Sequence, residues 1–219
     1  METAHKNQPV HPSNLTVIKH PLLSHKLSII RNKNTDRTLF RNSVKEVSQL
    51  MTIFVTQNLA LKPIQIETPL TTCASMMLAD PICVVNILRA GLGMSQGVTD
   101  IIPEATVGCI GLYRDHDTLK AVNYLVKLPE KHAGLYIVVD PMLATGNSAI
   151  AAIEIMIKHG ISVDQMAFMA LIAAPEGVQK LQQNFPDLKI FLASLDEKLD
   201  DSAYIIPGLG DAGDRLFGT

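Results

Sequence analysis

Asp140 follows the apolar run Ile137, Val138, Val139, and after it come Thr145, Gly146 and Ser148, just ahead of a stretch with helical character. A turn of this kind, where a buried strand gives way to a helix, suits a phosphate monoester. The free N–H groups and positive dipole end of the helix start attract an anion. Thr145 and Ser148 add hydroxyl donors, and Gly146 lets the backbone come close. The alternative is that Thr145 or Ser148 simply caps the helix. A P-loop is excluded, because the loop has no lysine and no G-x-x-x-x-G-K-[ST] pattern, and the dinucleotide fingerprint is also missing.

Other loops carry related chemistry. In "NILRAGLGM" (86–94), Arg89 precedes Gly91 and Gly93 directly after an apolar run. Close backbone amides and a guanidinium together suit a second anionic group, although a tight turn with a solvated arginine reads the same way. Arg114 lies in "YRDHDTL", which also reads as a mobile surface loop, and His116 is given no role. The tail "YIIPGLGDAGDRLFGT" (204–219) has little side-chain bulk around its glycines, so it offers mainly backbone donors and acceptors that can read the edge of a flat polar heterocycle. Its apolar Ile205, Ile206, Leu209, Leu216 and Phe217 fit poorly with a frayed end.

These loops need a frame. "ICVVNIL" (82–88), "TVGCIGLY" (106–113), "LYIVVD" (135–140), "MAFMALIAA" (166–174) and "KIFLAS" (189–194) are apolar without alternation, as strands buried on both faces are. Helical stretches separate them: "MSQGVTDII", "NSAIAAIEIMIKHG" and "PEGVQKLQQNF". The alternation predicts a doubly wound α/β fold with a mostly parallel sheet flanked by helices. Arg89, Arg114 and Asp140 then fall at carboxyl ends of strands, where open parallel sheets bind ligands. Upstream, residues 22–59 read as mostly helical, with Thr35 as a candidate cap, "SNLTVIKHP" as a short strand and "IQIETPL" as an exposed one.

Composition narrows the function class. The 219 residues suit one domain, read here as 15–219 behind a loose arm at 1–14. A net charge of -2 gives no electrostatic case for nucleic-acid binding. Cys73, Cys83 and Cys109 are too widely spaced for a zinc site, and no metal ligand set is visible. No apolar segment approaches membrane-spanning length, and the polar N-terminus has no signal-peptide core. A soluble cytoplasmic protein with no membrane partner is the expectation.

The motifs "ILRAGLGM", "LYRDHDTL", "KLP", "VVDPMLATGNS", "AAPEG" and the 204–219 tail, in this order, resemble the uracil phosphoribosyltransferases. The resemblance runs from "KHPLLSHKLSIIRNKNT" to the last residue. It implies a type I phosphoribosyltransferase fold with a small hood, an N-terminal helical region, and transfer of phosphoribose from phosphoribosyl pyrophosphate to uracil. It assigns the donor to Arg89, Arg114, Asp140, Pro141, Met142, Leu143, Ala144, Thr145, Gly146, Asn147, Ser148 and Asp211. Among these, Asp140, Arg89 and Arg114 are the catalytic candidates, with Asp140 on the ribose hydroxyls and the arginines on pyrophosphate. Uracil falls to Ile205, Gly210, Asp211 and Ala212. Mg2+ is expected to arrive on the donor. A homodimer or higher homo-oligomer is expected, with GTP as a candidate activator.

The chain departs from the family pattern at several points. Asn147 stands at a usual second glycine, where its side chain is expected to enter the phosphate space. Asn86 and Ala121 stand at usual prolines, and Ile53 and Phe54 at a usual Tyr-Glu pair. These departures motivate a second reading, a non-enzymatic homologue that binds phosphoribosyl pyrophosphate or UMP as a sensor. A third reading is an altered base preference.

Overall fold

A computed structural model describes residues 14–114, 121–130 and 134–219. The chain opens with β1 (Leu15–Val17) and α1 (Pro21–Arg31). Pro21 at the helix start leaves no N–H to satisfy, and His20 Nδ1 accepts from the Leu22 N–H at 3.2 Å. α2 (Arg37–Thr56) is capped by Asp36, whose carboxylate accepts from the Leu39 N–H at 3.0 Å. The expected cap, Thr35, instead donates to the Ile29 carbonyl at 2.6 Å. Asn14, expected in the loose arm, is fixed to the domain by Nδ2 bonds to the Pro186 and Leu188 carbonyls.

β2 (Leu61–Glu67) and β3 (Thr72–Leu78) then form a separate antiparallel hairpin, largely exposed. β3 was not expected, because "TCASMML" lacks the β-branched alternation that marks a strand. The central elements follow: β4 (Ile82–Leu88), α3 (Leu92–Ile101), β5 (Thr106–Arg114), β6 (Ala121–Lys127) and β7 (Leu135–Val139). The chain continues through β8 (Met142–Leu143), α4 (Asn147–Lys158), β9 (Met166–Ala173), α5 (Pro175–Asn184) and β10 (Lys189–Leu195). It ends with a small hairpin of β11 (Lys198–Leu199) and β12 (Ile205–Ile206), then α6 (Ala212–Phe217).

The main sheet runs β1-β10-β9-β7-β4-β5-β6, parallel except for the edge strand β6, with β8 paired beside β9. Apolar side chains cover both faces, as the unbroken runs require. Ile82, Val84, Ile137 and Val139 pack against α1, α2, α3 and the C-terminal segment. Cys83, Val85, Tyr136 and Val138 pack under α4 and α5. A doubly wound, mostly parallel sheet between helices is therefore what the chain forms.

The winding direction reverses between β4 and β7. From β4 the chain moves outward to β5, whereas from β7 it moves the other way to β9 and β10. Neighbouring loops at such a point diverge and leave a crevice beyond the carboxyl ends of the two strands. Arg89 follows β4 there, and Asp140 follows β7.

Candidate active site

The loop after β7 is pinned to β9. The Pro141 carbonyl accepts from the Leu171 and Ile172 N–H groups at 3.1 and 3.2 Å, and the Leu143 carbonyl accepts from Ala174 N–H at 3.0 Å. Gly146 then takes φ +81°, a left-handed turn that L side chains rarely adopt, and starts α4 without a side-chain cap. Neither Thr145 nor Ser148 caps the helix, so the capping alternative does not describe this loop. The first bond within the helix is from Ile150 N–H to the Gly146 carbonyl at 2.9 Å. The result is an uncapped helix start beneath exposed Asn147 and Ser148.

This loop is tight because of a residue outside it. Gly177, in the first turn of α5, lies so close that a Cβ there would come 2.2 Å from the Ala144 carbonyl oxygen. The "AAPEG" motif thus supplies close approach between α5 and the loop. The motif by itself carries no sign of this task for Gly177, because its partner lies 33 positions upstream.

Asp140 sits at the mouth of the crevice, with Oδ1 accepting from the Met142 N–H at 3.4 Å. Removal from water pushes its carboxyl up to about 7, and the negative charge of Asp211 adds to the rise, while the Met142 N–H opposes it. Asp140 and Asp211, far apart in the chain, therefore lie within electrostatic reach of each other. Asp211 itself caps α6 by accepting from the Asp214 N–H at 3.0 Å.

Asn147 does not stand free over the helix start. Its Oδ1 accepts from Lys180 Nζ of α5 at 2.6 Å, an exposed contact on the flank of the loop. Asn86 lies wholly buried inside β4, with Nδ2 donating to the Gly108 carbonyl at 3.1 Å and Oδ1 without a partner among the described residues. Phe54 packs edge-on against His20, 6.4 Å between ring centroids, on the N-terminal helices.

Arg89 is exposed, and the Leu88–Arg89 peptide is cis. Its guanidinium donates to Thr219 Oγ1 at 3.2 Å and lies 5.4 Å from the Phe217 ring centroid. The last residues of the chain therefore hold this arginine beside the crevice. Arg114 ends β5, and residues 115–120 of its motif, His116 among them, lie outside the described residues.

The tail is an ordered segment. Ile205 and Leu209 are buried, and the Ile206–Pro207 peptide is cis. Gly210 is exposed, and Ala212 is buried at the start of α6. Backbone fills this region, as its composition suggested. The residues that fix it were missed: Arg31 at the end of α1, Asp196 after β10, and Arg215 in α6. Nothing in their sequence spacing marks them, because their partners are up to 185 positions away.

Among the described residues, no helix is long and apolar enough to cross a membrane. No group of three His, Cys, Asp or Glu residues that could hold a metal ion stands together among them.

Comparison with known proteins agrees with the geometry. The protein is 57% identical over 209 residues to the uracil phosphoribosyltransferase of Listeria innocua, covering 94% of this chain and 99% of that protein. The Staphylococcus aureus uracil phosphoribosyltransferase is 54% identical over 209 residues, with the same coverage of both chains. A solved structure, the AQ2163 protein from Aquifex aeolicus, superposes with a TM-score of 0.87 at 34% identity, covering 94% of this chain and 98% of that one. The family model for uracil phosphoribosyltransferase matches residues 17–219, and with the switch-point crevice, the uncapped helix start and the ordered tail in place, the chain belongs to that family.

Proposed function

We propose that the protein transfers the 5-phosphoribosyl group from phosphoribosyl pyrophosphate to uracil, giving UMP and pyrophosphate. The C1–O bond to pyrophosphate breaks, the C1–N1 bond to uracil forms, and the N1 proton passes to water. The observation that carries this reading is the uncapped, glycine-turned start of α4 beside the switch-point crevice, a phosphate-type cradle, together with the ordered, backbone-rich 205–212 segment. A donor and a flat base can then lie side by side.

In this reading residues 144–148 hold the 5-phosphate on the α4 start, and Pro141, Met142 and Leu143 carry that loop on β9. Asp140 accepts from the ribose hydroxyls and faces the positive charge that develops on the ribose as the leaving group departs. Arg89 and Arg114 stabilise the growing charge on pyrophosphate. Ile205, Gly210, Asp211 and Ala212 hold uracil mainly by backbone, with Asp211 also facing the donor. Fixing both reactants in line supplies much of the acceleration. Mg2+ enters in this reading bound to the donor, which supplies its ligands. That ion, when bound, neutralises charge on the leaving pyrophosphate.

The test is UMP formation from uracil, phosphoribosyl pyrophosphate and Mg2+, with other pyrimidines in parallel. No product from folded protein, with donor binding intact in calorimetry, overturns catalysis in favour of the sensor reading. Efficient turnover of another pyrimidine alone overturns the choice of uracil.

A cytoplasmic location is part of the proposal, supported by the free thiols of Cys73, Cys83 and Cys109. So is a homo-oligomer. It is supported by the hairpin of β2 and β3, which exposes Leu61, Met76 and Met77 and carries Leu70, 95% exposed, at its turn. Sedimentation of the purified protein reads the assembly, and GTP added to the assay tests activation.

A further inference from the structure

The segment read as holding the base is tied to the opposite end of the chain by a part-buried ion pair. Arg31, the last residue of α1, donates Nη2 to Asp196 Oδ1 at 2.5 Å and Nη1 to Asp196 Oδ2 at 2.7 Å. Both groups of this fork also reach further. Arg31 Nη1 donates to the Gly208 carbonyl at 2.7 Å, and Asp196 Oδ2 accepts from the Gly208 N–H at 3.0 Å. Ser194 completes the network, accepting from Arg31 Nη2 at 3.0 Å and donating to Asp196 Oδ1 at 2.8 Å. The pair therefore engages both backbone polar groups of one residue in the loop between Ile205 and Gly210.

A second arginine secures the next residue. Arg215 donates to the Leu209 carbonyl at 2.8 Å, to the Asn32 carbonyl at 2.8 Å and to the Ile30 carbonyl. Its guanidinium lies 4.1 Å from the Phe40 ring centroid, which fixes its plane. The carbonyls flanking Arg31 and the backbone of Leu209 are thus tied to one planar group. Burial of Asp196 opposes its ionisation, but the bonds from Arg31 and Ser194 keep its carboxyl below the ordinary range.

A site that reads a base through backbone groups cannot correct its geometry by side-chain rotation. Its placement is set by whatever fixes the main chain. We propose that Arg31, with Asp196 and Arg215, positions the 205–212 backbone for the nucleobase, so that affinity for uracil depends on a guanidinium at the end of α1. This rests on the reading that residues 205–212 hold uracil. Neither Arg31 nor Arg215 is assigned a contact with substrate, so both are positioning residues.

The experiment measures KM for uracil and for phosphoribosyl pyrophosphate, with kcat and Tm, in Arg31→Lys, Arg215→Lys and Gly210→Ala. Lysine keeps the charge but loses the planar fork. The expected result is a rise of about tenfold in KM for uracil in both lysine variants, with KM for the donor within about twofold. A purely structural role lowers Tm or the active fraction and leaves both KM values alone, and that outcome overturns the proposal. Arg215→Lys carries the test if Arg31→Lys does not fold. Gly210→Ala separates the two readings: at φ +76° its side chain strains the base-site backbone directly, while its methyl meets only Arg215 Cδ at 3.8 Å and leaves the Arg31 network in place. If it raises KM for uracil while the lysine variants do not, the base site stands and the positioning role falls. If no variant in the series moves KM for uracil, the base site itself is elsewhere.

Discussion

Residues 140–148 are fixed mainly by backbone bonds to the buried sheet: Asp140 accepts from Met142, the Pro141 and Leu143 carbonyls accept from β9 and the residue after it, and Gly146 makes the turn into α4. Residues 205–212 have a short pairing of Ile205 with Leu199, a cap from Asp211, and otherwise arginines from α1 and α6. In the proposed site one wall is built at the end of buried strands. The other hangs beside the sheet and is clamped by charge. A phosphate needs several converging N–H groups, which a helix start supplies by itself. A planar base read by backbone needs the main chain itself placed, and a chain segment without regular structure has no internal means of doing that.

The comparison predicts that damage to the first wall shows in donor handling and chemistry. The largest effect is expected for Asp140→Asn, with kcat reduced about 10²- to 10³-fold. Folding responds in the opposite direction. Because the folded state holds the Asp140 carboxyl near 7, the folded protein keeps a proton that the unfolded chain releases near pH 4. Stability from this group therefore falls as pH rises from about 4 through about 7. Asp140→Asn removes that penalty, so Tm at pH 8 should rise by roughly 5 °C. Equal or lower Tm in differential scanning calorimetry would place Asp140 in a stabilising contact instead.

Next in size is Gly177→Ala. Its methyl group meets the Ala144 carbonyl at 2.2 Å, so α5 or the donor loop must move. Donor kcat/KM should drop about 30-fold, with KM for uracil changed far less, since a displacement of about 1 Å near the chemistry is worth that order of rate. A uniform rise in both KM values would show that the walls are mechanically coupled.

A smaller effect concerns pH. Only the ionised Asp140 carboxylate accepts from both ribose hydroxyls, so KM for phosphoribosyl pyrophosphate should rise about tenfold between pH 8 and pH 6. The same titration with Asp140→Asn should lose that limb. If the limb persists, it belongs to another group, and the assignment of Asp140 to the ribose fails.

The smallest effect is expected for Asn147→Gly. With Asn147 Oδ1 engaged by Lys180, the side chain is anchored on α5, and donor affinity should stay within about twofold. A clear gain in affinity by calorimetry would instead show that asparagine crowds the phosphate, as its position alone suggested.

Much of this molecule is legible in its sequence, for identifiable reasons. The runs "ICVVNIL", "LYIVVD" and "MAFMALIAA" name β4, β7 and β9, because strands covered on both faces tolerate no polar alternation. "KHG" marks the end of α4, where Gly160 takes φ +81°. The small loops at strand ends then place Arg89 and Asp140 on one edge of the sheet. What was missed lacks such local signatures. β3 carries weak strand formers and forms only because it pairs with β2. The cap of α2 is Asp36, one residue past the expected Thr35, a choice between adjacent cap-forming side chains that only the turn geometry makes.

By itself the sequence determined the mostly parallel sheet, the glycine turn into α4 and the backbone character of the tail. These follow from hydrophobic pattern, glycine and helix chemistry acting over a few residues. Tertiary structure alone decided that Asp140 and Asp211 share one field, that Gly177 presses on Ala144, and that Arg31 grips Gly208. Each of these couples groups remote in sequence, and a charge or a close contact acts through distance in space, which no spacing along the chain records.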